Sequence, residues 1–123
     1  MAIFTDPEVG LVGHTEASAG AAGFAVVTNT LPVAAIPKAH VTGHKAGAIK
    51  MIADRQTGRL LGVHLSCHRG AELINEAALA VRCKLTVEEL ANTLHVYPTM
   101  SEGLRLCAQG FSRDVSKLSC CAE

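Results

Sequence analysis

Apolar residues recur at about every second position in the first half of this chain and at nearly every fourth after Gly70, a switch that dictates strands first and helices afterwards. The clearest strand pair is Ala48 to Ala53 and Leu60 to Leu65. These runs flank Asp54-Arg55-Gln56-Thr57-Gly58-Arg59, a polar turn with a glycine placed for positive φ, and predict an antiparallel hairpin. Two extended runs precede it: Ile3 to Val12, turning at Asp6-Pro7, and Phe24 to Val33, closed by Pro32 and Pro37. Between them Thr15 is positioned to cap a short Ala-rich helix ending near Gly20 or Gly23, and the stretch around His40 and His44 reads as loop. After the switch, Leu73, Ala77, Ala80, Val81 and Lys84 share a helical spacing and mark the longest helix. Thr86-Val87-Glu88-Glu89 is a capping box opening a second helix, expected to bury Val87, Leu90, Ala91 and Leu94 before Pro98 stops it. Thr99-Met100-Ser101-Glu102 reads as another capping box, opening a third helix with Met100, Leu104, Cys107, Ala108 and Phe111 on one face. With no βαβ alternation, the pattern predicts an α+β fold, an antiparallel β-sheet packed with helices. A length of 123 residues fits one domain, here 1–112, followed by a tail at 113–123.

Eleven basic residues balance eleven acidic ones, so the chain lacks the basic footprint that binds nucleic acid or anionic lipid. Apolar residues make up 49% of it. A domain this small buries only about 60 to 70% of its unfolded surface, so some of that apolar area is expected at a subunit or domain interface. The longest uncharged stretch, Ala17 to Pro37, is broken by Gly20, Gly23, Asn29 and Pro32 and does not read as a membrane span. Without a secretory signal pattern either, the expected location is cytoplasmic. There is no Gly-x-Gly-x-x-Gly, phosphate loop or nucleophilic serine elbow, so no nucleotide site is expected within the chain.

Five cysteines form no paired framework. Cys83 and Cys107 fall within helical patterns and read as buried, inert thiols, while Cys67 is ambiguous. Cys120 and Cys121 are adjacent, so once the first holds a metal the second binds as an intramolecular ligand. Thiolates favour soft cations, which leaves monovalent copper, cadmium and mercury open and excludes magnesium and calcium. A disulfide between neighbours closes a strained ring, so the pair reads as available for reversible chemistry, against the plainer readings of chance or a lipidation signal with an ill-suited terminal Glu123. Tyr97, Thr99, Ser101 and Glu102 cluster around Pro98 at a helix start. There Glu102 serves either as a cap or as a functional carboxylate, and Tyr97 either packs with its hydroxyl at the surface or acts on substrate. His95 reads as a surface residue or a base. His64, Cys67 and His68 read either as a zinc cluster at a strand end or as ordinary core and surface residues.

Phe4-Thr5-Asp6-Pro7-Glu8-Val9, Leu60-Leu61-Gly62-Val63-His64, Glu72-Leu73-Ile74-Asn75-Glu76 and Tyr97-Pro98-Thr99-Met100-Ser101-Glu102 together resemble the dimerisation domain of the flavin disulfide oxidoreductases, from about Ile3 to the end. In most of that family a histidine precedes the Pro-Thr-x-x-Glu segment and pairs with its Glu as an acid/base dyad for the partner subunit. Here that position is Tyr97. A phenol with a pKa of about 10 is a poor proton shuttle near neutrality, so the ordinary dyad is not expected. Tyr97 and Ser119-Cys120-Cys121-Ala122 together resemble the mercuric reductase branch. That resemblance implies a homodimer in which Cys120 and Cys121 capture Hg(II) and pass it to a redox cysteine pair of the other subunit. It also implies that FAD and NADPH, bound elsewhere, supply the electrons, that Tyr97 and Glu102 assist near the ion's path, and that this chain alone lacks turnover. The alternatives are a stand-alone self-associating soft-metal module and the interface domain of another disulfide reductase.

Overall fold

The computed structural model describes residues 1–114. Five strands form one antiparallel sheet in the order β1-β2-β5-β4-β3: β1 (Ala2–Ile3), β2 (Glu8–Gly13), β3 (Val26–Pro32), β4 (Ala48–Asp54) and β5 (Leu60–Cys67). The five α-helices are α1 (Glu16–Ala21), α2 (Pro37–Thr42), α3 (Gly70–Arg82), α4 (Val87–Asn92) and α5 (Glu102–Gln109), with a 3-10 turn at Val33–Ala35. The α+β expectation holds, strand by strand.

The β4–β5 hairpin forms where the alternation placed it. Gly58 takes φ +71 in the turn, and Asp54 closes it by accepting from the Thr57 hydroxyl at 2.6 Å and the Gln56 N–H at 3.3 Å. Pairing slips between Ile52 and Ala53, so the two sheet faces draw on different parities along the hairpin. Ile49, Met51, Val63 and Leu65 face a large core beneath α3 and α5, whereas Ile52 and Leu61 pack with Ala19 of α1 on the other side. One face is thus covered by the main core, while α1 covers only part of the other, where Lys50, His64 and Ser66 stay partly exposed.

Helix α3 lies against β2 with little space between them. A Cβ added at Gly10 would sit 2.7 Å from Ile74 Cβ, so only glycine allows this approach. Arg69 is the N-cap of α3 and makes no side-chain cap bond. Glu8 supplies one from a distant strand, its Oε2 accepting from the Ala71 N–H at 2.9 Å. The carboxylate satisfies one of the free amides of the first turn and complements the helix dipole there.

Some local expectations are overturned. Around His40 the chain is helical, because Pro37 at the first position of α2 presets φ and Gly43 ends the helix at φ +79. Helix α4 keeps its Thr86/Glu89 capping box but stops at Asn92; Thr93 leaves helical geometry at ψ 125, and Leu94 is 88% exposed rather than buried. Helix α5 has no capping box. Its N-cap Ser101 makes no side-chain cap bond, and the Thr99 hydroxyl donates to Val96 O at 2.7 Å instead. Its inward face is as expected, with Met100, Leu104, Cys107 and Ala108 buried and Phe111 packed against them.

Candidate functional site

The residues singled out around Pro98 occupy the irregular stretch between α4 and α5. The bond between Tyr97 and Pro98 is cis. Tyr97 is 55% exposed, while Glu102, five residues on at the start of α5, is only 7% exposed. With the capping box absent, one oxygen of Glu102, Oε2, is buried without a hydrogen-bond partner. Burial pushes its pKa up, and the charges of Arg105 and His95 offset that in part. A carboxyl group held in this way, partly desolvated and unsatisfied, is primed to exchange a proton or to receive a donor.

His95 is neither a surface histidine nor a base facing Glu102. Its side chain is 5% exposed, its Nε2 lies 2.6 Å from Glu76 Oε1 of α3, and its Nδ1 lies 3.0 Å from Thr93 O. The Glu76 carboxylate raises its pKa against the opposing effect of burial. Beside this segment a cleft of about 560 Å³ is bordered by Lys38, Arg69, Glu72, Glu76 and the turn Pro98 to Ser101. Charges of both signs line it, so it favours no single class of ion.

The other candidates separate. Cys67 is buried at the end of β5, where burial and the nearby Glu8 charge push its thiol up to about 11. His68 stacks on His44, ring centroids 4.0 Å apart and planes within 6°, and no group of three His, Cys, Asp or Glu among the described residues is arranged to hold a metal. Two imidazoles stacked in parallel point their lone pairs along parallel planes, so they do not converge on one ion. The zinc reading of His64, Cys67 and His68 is overturned. His40 pairs with Ala34 O at 2.6 Å, and His44 stacks on His68 instead. Cys107 is buried as expected, its thiol donating to Ile49 O at 3.3 Å and pushed up to about 12, chiefly by burial. Cys83 is exposed, because it caps α3 beyond the helix's buried stripe.

Residues 1–108 match the family model described as the dimerisation domain of the pyridine nucleotide-disulphide oxidoreductases. The chain belongs to that family. It is 48% identical over 120 residues to the mercuric reductase of Shewanella putrefaciens, covering 98% of this chain and 22% of the relative. With the mercuric reductase of Streptomyces lividans it shares 45% identity over 119 residues, covering 97% of this chain and 25% of the relative. Among solved structures it resembles LpdA from Mycobacterium tuberculosis, with a TM-score of 0.84 and 32% identity over 92% of this chain and 25% of that one. An HOCl-induced flavoprotein disulfide reductase from Escherichia coli gives a TM-score of 0.84 and 35% identity over 89% of this chain and 25% of that one. The chain spans about a quarter or less of the length of these relatives.

Within this dimerisation domain, Tyr97 and Glu102 frame the entry to α5. Cys120 and Cys121 lie outside the described residues. Sequence reasoning missed Glu76 and Glu8 as the carboxylates that tie distant segments to α3. Both lie in motifs already noted for the family, but their partners, His95 and Ala71, are set by the tertiary fold. Among the described residues no helix is long and apolar enough to cross a membrane.

Proposed function

We propose that this is the dimer-forming and metal-handing domain of an NADPH- and FAD-dependent mercuric reductase, with the domain at 1–112 and a working tail at 113–123. The similarity to mercuric reductases along 97 to 98% of the chain carries this reading, at identities above those to the solved disulfide reductases of other types. In it, Cys120 and Cys121 capture Hg(II) as thiolates and pass it by stepwise thiolate exchange to a redox cysteine pair of the other subunit, so the ion changes partners without being released. FAD and NADPH, held by other domains, supply the two electrons that reduce Hg(II) to Hg(0). Tyr97 and Glu102 act beside the ion's path, Tyr97 through the hydroxyl of a half-exposed side chain and Glu102 through a carboxyl group whose proton affinity burial has raised. The expected setting is a cytoplasmic homodimer serving mercury resistance.

The burial of Cys67 and Cys107 supports a division between inert and working thiols, since neither is accessible to a metal and both favour the protonated form. Cys83 is the exposed cysteine among the described residues and stands alone on α3. A mercury titration against a competing small thiol tests the handover role. The parent chain should hold one Hg(II) tightly, and Cys120→Ala/Cys121→Ala should lose that binding to the competitor while Cys83→Ala keeps it. If the double variant binds as tightly as the parent, the handover role fails.

A further inference from the structure

From Leu94 to Pro98 the chain has no regular secondary structure, and four of these five residues are exposed. His95 alone turns inward. Its two ring nitrogens face Thr93 O at 3.0 Å and Glu76 Oε1 at 2.6 Å. A carbonyl oxygen and a carboxylate only accept hydrogen bonds, so satisfying both requires a proton on each nitrogen. The neutral ring has one N–H and would set a lone pair against an acceptor. The geometry therefore calls for an imidazolium, the form that a hydrogen bond to a carboxylate favours.

We propose that His95 is a positioning residue: clasped as a cation between Thr93 at the end of α4 and Glu76 on α3, it fixes the backbone path of residues 94–98 and so the place at which Tyr97 is presented. This rests on the reading of Tyr97 as a site residue. Within the subunit the side chains of Leu94 and Val96 contribute little to holding the segment, being 88% and 77% exposed. The Thr99 hydroxyl bonds to Val96 O, within the same stretch, and braces it without tying it to the rest of the domain. The bond to Glu76 ties it to the longest helix across nineteen residues. Arg105 opposes the charge on His95 and Glu102 lies within electrostatic reach of it, so Glu76 is the group that tips the balance toward the cation.

Nitrogen NMR of the histidine rings in the 123-residue chain reads the protonation directly. Near pH 7 His95 should show two protonated ring nitrogens. In Glu76→Gln it should show one, with the Val96 amide and Tyr97 ring signals shifting and broadening while Met51 and Leu104 stay in place. A single N–H in the parent, or Tyr97 signals unmoved in the variant, overturns the clasp. The parent spectrum needs no substitution, so it decides the point even if Glu76→Gln fails to fold. In a polypeptide that joins this domain to its FAD and NADPH domains, Glu76→Gln should lower kcat with Hg(II) on the order of tenfold or more, and this loss should vanish in a Tyr97→Phe background. A loss that persists undiminished there also overturns the proposal. If the ring carries both protons and Glu76→Gln moves Tyr97, yet Tyr97→Phe leaves turnover unchanged, the clasp stands and the role given to Tyr97 fails.

Discussion

His95 and Glu102 link folding to pH in the same direction but over different ranges. Both have a pKa raised by the fold, His95 through the Glu76 carboxylate and Glu102 through burial. A group whose folded pKa exceeds its unfolded value stabilises fully below the unfolded value and loses that contribution as pH rises through the folded one. The Glu102 contribution should therefore begin to fade above about pH 4.3, and that of His95 above about pH 6.5. Urea midpoints measured across this span should fall toward alkaline pH. Glu102→Gln should flatten the acidic part of that decline and Glu76→Gln the part above neutrality; a profile unchanged by either would contradict the burial and the pairing described above. The thiols give a second check at this scale. An alkylating reagent near pH 8 should modify Cys83 in the folded chain and reach Cys67 and Cys107 only after denaturant is added, as peptide mapping would show. How far such residues could be read from the sequence depends on what sets their environment. Tyr97 and Glu102 stood out by their cluster about Pro98 together with the resemblance of that segment to the Pro-Thr-x-x-Glu motif of the family. The pairing of His95 with Glu76 did not, because nothing local tells a histidine in a short irregular stretch which face of a helix nineteen residues earlier it will meet.

At the level of elements, the features that carry long periods or paired turn chemistry were legible. The β4–β5 hairpin has alternation on both sides of a turn that needs a positive φ at Gly58, and α3 spans enough turns for its apolar stripe to be distinct. Helix α2 escaped because six residues are too few for a stripe and it has no side-chain cap. The end of α4 was misplaced for a different reason. Leu94 continues the helical spacing, but Thr93 turns out of the helix and His95 is drawn to α3, so tertiary pairing overrides the pattern. The cap that Glu8 places on α3 makes a prediction of its own. Glu8→Ala removes the acceptor of the Ala71 N–H and should cost about 1 kcal/mol in urea denaturation, the usual worth of a helix cap. The same substitution should loosen amide-exchange protection in the first turn of α3 before it affects the centre of β4. Uniform loosening across the domain would mean that Glu8 does not act as a cap.

Taken as a whole, the molecule keeps a full core and still leaves large apolar side chains in water: Phe4 at 82% exposure, Leu79 at 63%, Leu94 at 88% and Val96 at 77%. The composition anticipated this surplus of apolar surface, though not which residues would carry it. In a dimerisation domain these are the side chains expected to meet another surface. Leu94→Asp with Val96→Asp should weaken self-association at least about tenfold in sedimentation experiments while leaving the circular dichroism of the fold unchanged. Equal association by the variant would place the dimer contact elsewhere. One consequence of the clasped segment is optical. The chain has no tryptophan and a single tyrosine, and that tyrosine is Tyr97. All of its intrinsic phenol fluorescence therefore comes from one half-exposed ring on the 94–98 stretch. The protein carries a built-in lamp at the place where the ion is expected to pass, and quenching by a heavy atom would register arrival there without any added label.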